Sequence, residues 1–169
     1  MSRTISLTAR TANNAQQTGQ VWVFLFTVTH EEMAEPRRFA SDPGTRQSTD
    51  PLVYGHMSRG DLYQFLPVGV VLPDDSEDAP PAMQLQLDNI ERELIPLLRS
   101  VSTPALIKVE MVLASTPDIV EVAYPEFELA VATYDELTVS LDLGMPSLAT
   151  EPYPSGTFTP GQFPAIFNG

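Results

Sequence analysis

Few residues in this sequence are equipped for acid–base or nucleophilic chemistry. There are two histidines, His30 and His56, and no cysteine. A Ser-His-Asp triad would have to use one of these histidines, yet neither lies in a Gly-x-Ser-x-Gly elbow or another nucleophile context. The lack of cysteine excludes disulfides, thiolate zinc sites and a cysteine nucleophile. We therefore predict no catalytic residue and no enzymatic activity, with a cell-wall hydrolase as the least favoured function.

Two short motifs invite a ligand-binding interpretation. One is a run of carboxylates at Asp74, Asp75, Glu77 and Asp78. Hard cations prefer clustered carboxylates, but this spacing fits no EF-hand loop. The other, Arg59-Gly60-Asp61, spells an integrin-type tripeptide that recurs often by chance. We interpret both motifs as turns. Since the acidic run is interpreted as a turn, we predict no metal. No glycine-rich phosphate loop is present, and we predict no cofactor.

Length and composition are those of a single globular domain with extended segments. The chain has 169 residues, 43% of them hydrophobic, and 16 prolines, which favour turns, edge strands and loops. Its longest apolar run, 21–26, is far shorter than the roughly 20 residues of a membrane-spanning helix. The N-terminus lacks the apolar core of a secretory signal. We expect the chain to fold in the cytoplasm of the cell that makes it, without membrane insertion.

The charge of the chain is strongly acidic. Its 22 Asp and Glu residues against 9 Lys and Arg give a formal net charge of −13. Proteins that bind nucleic-acid backbones place cations on the phosphates and release counterions. An excess of carboxylates opposes that contact, so we predict no specific nucleic-acid binding.

The first third of the chain predicts a helix, a strand and a loop. Residues 6–17 have apolar side chains near helical spacing, which predicts a short N-terminal helix. Residues 21–29 are β-branched and aromatic on both faces, which predicts a central strand covered on both sides. The stretch 31–58 begins with many Glu, Pro, Arg and Ser residues, which predicts a projecting loop or hairpin.

The rest of the body alternates between apolar and polar residues. This pattern predicts strands over 61–72, 83–87, 105–113, 127–131 and 137–143. Between the second and third of these, residues 88–98 begin with a capping-box-like sequence and predict one amphipathic helix, shortened or kinked by Pro96. Together these elements predict a β-rich α+β domain over 1–150. We expect an antiparallel barrel or sandwich with one helix packed against it.

The C-terminal stretch 151–169 has a different character. It contains four prolines and no period of two or of 3.6 residues, so we predict an extended arm rather than a helix or strand. It also carries four aromatic residues: Tyr153, Phe158, Phe163 and Phe167. Aromatic side chains along an extended segment must bury their apolar area on this body or on a neighbouring subunit. We take these four as candidate subunit-interface residues.

Five ordered segments resemble a known family. They are YGHMSRG (54–60), LPDDSEDAPP (72–81), DNIERE (88–93), VLASTPD (112–118), and EPYP (151–154) with FPAIF (163–167). Together they look like a phage minor tail protein family, a domain of unknown function in siphophage and prophage tail operons. The resemblance runs from the N-terminal helix to the last aromatic residue. The loop over 31–50 departs from it by being longer and more polar.

The resemblance implies a structural role at the tail tip, similar to that of distal tail proteins. Those proteins form a six-fold ring of β-barrel or sandwich subunits between the tail tube and the baseplate hub. The expected partners are therefore copies of this chain in a hexamer, the tail tube protein and hub or other tail-tip proteins. The expected location is the tail of the virion. No catalytic residue comes with the resemblance.

Two alternatives stay open. The chain could be a tail assembly factor or a receptor-contacting binding module that never forms a ring. For the acidic run at 74–78, we hypothesise that its carboxylates line the channel of the ring and repel DNA phosphates, so that the genome slides without sticking. Plain solubility is the competing explanation of that acidity.

Overall fold

The computed structural model describes residues 5–72, 82–88, 103–134 and 138–145. These ranges contain one short helix and eleven strands. The elements are α1 (Leu7–Asn14), β1 (Trp22–Thr29), β2 (Arg37–Ala40), β3 (Thr45–Thr49), β4 (Leu52–Ser58), β5 (Asp61–Phe65), β6 (Val68–Val71), β7 (Ala82–Asp88), β8 (Leu106–Leu113), β9 (Thr116–Ala123), β10 (Phe127–Tyr134) and β11 (Thr138–Gly144). The prediction of a β-rich α+β domain with a short N-terminal helix is confirmed.

The strands form one large, open, mixed sheet. Ten of them follow the order β3-β4-β5-β2-β1-β8-β10-β11-β7-β6, and β9 pairs with β8 beside this path. Every described pairing of named strands is antiparallel except β2 with β5, which is parallel and places Phe39 opposite Gln64. The expectation of a wholly antiparallel sheet is therefore wrong at this pair. Two consecutive hairpins, β3–β4 and β4–β5, are the cause, because they reverse the chain twice, so that β5 runs in the same direction as β3 and as β2.

β1 is the central strand, as predicted. It pairs with β2 on one side and along its full length with β8 on the other. Phe26 and Val28 belong to the larger apolar cluster of the protein. Val23 and Leu25 belong to a second cluster. Because successive side chains point to opposite faces of a strand, β1 is covered on both sides by apolar groups.

The larger cluster extends across the strands from β1 to β7 in the sheet order. It contains buried residues of β1 and β8 together with buried residues of β10, β11 and β7, which lie two to four places from β1. These include Met83, Leu85 and Leu87 of β7 and Val139, Leu141 and Leu143 of β11. The strands predicted from alternation at 83–87, 105–113, 127–131 and 137–143 correspond to β7, β8, β10 and β11. Their alternating apolar positions form the core.

The segment predicted to project, 31–58, contains three strands. β3 and β4 form a hairpin at one end of the sheet order, whereas β2 pairs with β1 and lies within the body. The sequence pattern did not predict β2, because its sequence, RRFA, is short and half of its residues are charged. The helix predicted over 88–98 lies outside the described residues except for Asp88, the last residue of β7. The C-terminal arm, 151–169, also lies outside them.

The Arg59-Gly60-Asp61 motif is a turn, as predicted. Ser58 pairs with Asp61 across the β4–β5 hairpin, so the loop has two residues. Both have positive φ, 53° at Arg59 and 89° at Gly60. This is the backbone twist that two-residue hairpins require. β4 also lies close to β5 at Gly55, where an added Cβ would clash with the Tyr63 carbonyl oxygen.

Candidate functional site

The strongest polar feature of the described protein is a cluster of charges around Glu110. This residue lies in β8 opposite Leu25 of β1 and is only 5% exposed. Arg59 donates hydrogen bonds from Nη2 to Oε2 and from Nη1 to Oε1, the second at 3.2 Å. The Nζ atom of Lys108 lies 2.9 Å from Oε1. One buried carboxylate thus holds two cations from two different parts of the sheet.

Burial and pairing act in opposite directions on this carboxylate. Desolvation raises the pKa of Glu110, because a buried charge loses its hydration. Hydrogen bonds from Arg59 and Lys108, and the charges of both, outweigh that effect and hold the pKa of Glu110 below its ordinary value. The hydrogen bond to Glu110 is also the largest cause of a raised pKa at Arg59, against a smaller opposing effect of burial. Glu110 is therefore ionised at neutral pH.

The turn that carries Arg59 is fastened to β9. The backbone N–H of Arg59 donates to Oδ1 of Asp118, and Ser58 Oγ donates to the carbonyl of Pro117 at 2.7 Å. Nη2 of Arg59 also lies 3.4 Å from the Tyr63 hydroxyl. These contacts connect the β4–β5 hairpin to the β8–β9 hairpin. The arrangement holds these two hairpins together, and each polar side chain of the cluster takes part in a hydrogen bond or ion pair.

The two histidines also hold loops in place. Nε2 of His56 lies 2.9 Å from Oδ2 of Asp42, which accepts a second hydrogen bond from the Gly44 N–H at 2.9 Å. This fixes the start of β3 against β4. Nδ1 of His30 accepts a hydrogen bond from the backbone N–H of Glu32 at 3.0 Å. Its Nε2 lies 2.6 Å from Oγ1 of Thr103, so it connects the end of β1 to the segment before β8.

The described ranges contain neither a metal-binding cluster nor a membrane-spanning helix. No group of three or more His, Cys, Asp or Glu residues there is arranged to hold a metal ion. No helix in the same ranges is long and apolar enough to cross a membrane. Comparison of the whole chain with protein-family models and with curated protein sequences found no match. The case for a function therefore depends on the chain's own surfaces.

The helix α1 is held to the sheet by a buried carboxylate. Glu121 of β9 is 3% exposed and accepts hydrogen bonds from the backbone N–H of Ser6 at 2.7 Å and from Ser6 Oγ at 2.6 Å. Ser6 is also the N-cap of α1, because its Oγ accepts from the Ala9 N–H at 3.1 Å. Ala9 and Ala12 are buried. Two small side chains and one carboxylate thus dock the helix.

We expect Glu121→Gln to loosen α1 without unfolding the sheet. A glutamine offers one acceptor where the carboxylate offers two, so an N–H or O–H of Ser6 loses its partner. A hydrogen bond to a charged group contributes about 1.5–3 kcal/mol, and we expect a loss of about 2 kcal/mol. The exchange rates of the α1 amide hydrogens measure this loss of stability. Glu126→Gln, at an exposed position, is the matched control. Unchanged α1 exchange in Glu121→Gln would contradict this role.

The described surface exposes large apolar side chains on several strands. Eleven of these residues are at least a third exposed: Leu7, Val21, Leu52, Tyr54, Met57, Leu62, Val71, Leu72, Ile119, Val131 and Met145. Met57 and Leu62 are directly opposite each other on β4 and β5. Val71 and Leu72 lie at the end of β6, where the sheet order stops. Neighbouring exposed apolar side chains, such as Met57 and Leu62, are typical of surfaces that contact other proteins, whereas single ones are ordinary.

The site residues predicted from the sequence lie elsewhere in the chain. The interface candidates Tyr153, Phe158, Phe163 and Phe167 fall outside the described residues, as does the acidic run 74–78. Sequence reasoning missed the Glu110 cluster. The signal was present in β8, where Lys108 and Glu110 share a face with Leu106 and Val112 although the opposite face is also apolar. A charged pair flanked by apolar residues in such a strand indicates a buried ion pair.

Proposed function

We propose that this chain is a structural subunit of a phage tail tip, similar in role to distal tail proteins. In this role, copies of the chain form a ring that links the tail tube protein to the baseplate hub. The observation that carries the proposal is the described surface. It exposes eleven large apolar side chains and ends in sheet edges at β3 and β6. The resemblance of five ordered segments to phage minor tail proteins supports the same assignment.

We propose that this open sheet curves into a barrel or sandwich in which β3 and β6 stay unpaired with each other as its edges. Buried residues of β1 and β8 share one apolar cluster with those of β7 and β11. β5 and β6 are seven places apart in the sheet order but are joined by only two residues, 66 and 67, which supports a sheet that folds over itself. The C-terminal arm belongs to the proposal as well. Its four aromatic residues supply contact area for the neighbouring subunit in the ring.

The acidity of the chain supports the proposed passage of DNA through the ring. The net charge is −13, and phosphates avoid a channel lined with carboxylates. The proposed lining includes Asp74, Asp75, Glu77 and Asp78. No DNA-binding activity is part of this role.

Labelling of intact particles tests the proposed location. An antibody against this chain should label purified tails at the tip, and deletion of the gene should give particles without a complete tip. As the control, an antibody against the tail tube protein should label the shaft of the same tails. Label along the whole tail would contradict a tip position. A defect in tail production without any label on particles would instead identify an assembly factor.

A further inference from the structure

The strand β6 ends the sheet without the features that usually protect an edge. Within the described residues it pairs only with β7. The pairing is in register over all four residues, from Val68 opposite Leu87 to Val71 opposite Gln84. Its sequence, VGVV, has no charge and no proline, and its pairing has no bulge. Such an edge offers its backbone donors and acceptors to a further strand.

The two faces of β6 are different. Val68 and Val70 are half-buried against the larger apolar cluster. Gly69 and Val71 belong to the opposite face and are exposed, Val71 to 61%. An added Cβ at Gly69 would lie 3.7 Å from the Gln86 carbonyl oxygen, so nothing crowds this position. A glycine on an edge strand leaves a gap that an aromatic side chain of a neighbouring strand can cover.

Residues 151–169 carry the side chains that this edge would accept. The segment has four aromatic residues and a single charged residue, Glu151. Between Pro154 and Pro160 lies the proline-free sequence SGTFT. Its Thr-Phe-Thr part, 157–159, is typical of a β-strand, because β-branched and aromatic side chains fit a pleated surface. An aromatic residue, Phe158, is thus at the centre of the part best suited to pair with β6.

The path of the chain favours a segment that comes from another copy. β11 ends at Gly144, which lies opposite Ala82 at the start of β7. β6 ends beside the same end of β7, where Val71 lies opposite Gln84. To reach the outer side of β6, the segment of the same chain would have to cross the connection from β6 to β7. Connections do not cross each other at one edge of a sheet, whereas a segment of a second copy approaches β6 from outside.

We infer that the segment 151–169 of one copy adds a strand to the β6 edge of a second copy, with Phe158 over Gly69. Backbone hydrogen bonds between the two strands supply affinity, and the aromatic side chain in the gap supplies specificity. Each copy then gives its segment to one neighbour and receives a segment from another. Such head-to-tail contacts close into a ring or extend as a filament. The inference rests on the proposed function for the closed ring, whereas the contact itself depends only on the surfaces of the chain.

Cysteine cross-linking tests this contact in the full chain, which has no native cysteine. One variant, Val71→Cys, has its thiol on β6, and the other, Thr157→Cys, has it in the segment. Neighbouring strands lie roughly 4.8 Å apart, so a flexible bis-maleimide can join the two thiols in either strand direction. The control mixture has Val131→Cys in place of Val71→Cys. Val131 is also exposed, but it lies on β10, within the sheet order.

The expected product is a mixed dimer of the two variants. An equimolar mixture of Val71→Cys and Thr157→Cys should give it in about tenfold higher yield than the control mixture. Phe158→Ala, added to Thr157→Cys, should lower the yield about tenfold, because the gap at Gly69 loses its aromatic cover. Phe158→Tyr should keep the yield, because its ring covers the same gap. A synthetic peptide of 151–169 should compete with the dimer, and the same peptide with Phe158→Ala should compete less.

A chain with both Val71→Cys and Thr157→Cys separates the two sources of the segment. Cross-linked oligomers would support exchange between copies, whereas a cross-link within one chain would show that each copy binds its own segment. Equal yields from the test and control mixtures, or efficient dimers of Val71→Cys alone, would also overturn the inference. A missing cross-link with the chain present at the tail tip would remove this contact and leave the proposed function. A cross-link with the chain absent from tails would do the reverse.

Discussion

Glu110→Gln should lower the free energy of unfolding by about 2 kcal/mol at pH 7. Removal of one partner from a buried ion pair costs about 3–5 kcal/mol, because the remaining charge loses its compensation. The loss is smaller here, since the side chains of Arg59 and Lys108 are 38% and 49% exposed and regain water. Urea denaturation gives the value, with Glu35→Gln as a control at an exposed loop position. A difference within error of the control would contradict the role of Glu110.

The same variant should also change the pH dependence of stability. The pKa of Glu110 in the folded chain is below its ordinary value of 4.5. The ionised carboxylate therefore stabilises the fold above that ordinary value, and this contribution disappears as the pH falls through the lowered pKa. The stability difference between wild type and Glu110→Gln should be full at pH 7 and should shrink below pH 4.5. A difference that is constant down to strongly acidic pH would contradict this account.

Deletion of 151–169 should abolish incorporation of the chain into tails. The segment carries Tyr153, Phe158, Phe163 and Phe167, and buried aromatic side chains contribute about 150–250 Å² each. Four of them supply much of the roughly 1,000 Å² that a stable subunit contact needs. Quantitative mass spectrometry of purified tails measures incorporation. We expect loss of at least about 90% of the copies, as for removal of a hot spot.

The control for this deletion separates assembly from folding. The truncated chain should unfold in urea at the same concentration as the full chain if the segment acts between subunits. A version in which 151–169 is replaced by a Gly/Ser sequence of equal length tests whether the aromatic side chains, rather than chain length, are required. Tails with a normal content of the truncated chain would contradict an assembly role for the segment.

The sequence pattern predicted the strands that have apolar periodicity. β1 was recognisable because both of its faces are apolar, and β7, β8, β10 and β11 because apolar and polar residues alternate along them. These signals are local, and burial in the sheet enforces them. The Arg59-Gly60 turn was also predictable, because glycine accepts positive φ without strain.

The features that the sequence did not reveal depend on contacts between distant segments. β2 is four residues long with two arginines, and it becomes a strand because β1 and β5 offer it partners. Its parallel pairing with β5 follows from the two consecutive hairpins, β3–β4 and β4–β5, that come before β5. Glu110 is buried because Arg59, from a turn far away in the chain, reaches it. Glu121 meets Ser6 across 115 positions of the chain. No local pattern encodes such a meeting.

The number of copies in each purified tail tests the central claim most directly. Quantitative mass spectrometry with isotope-labelled peptides, normalised to a tail protein of known copy number, gives this count. A ring subunit of the tail tip predicts about six copies per tail. Absence of the chain from purified tails would contradict a structural role, and about three or about twelve copies would contradict a simple hexameric ring.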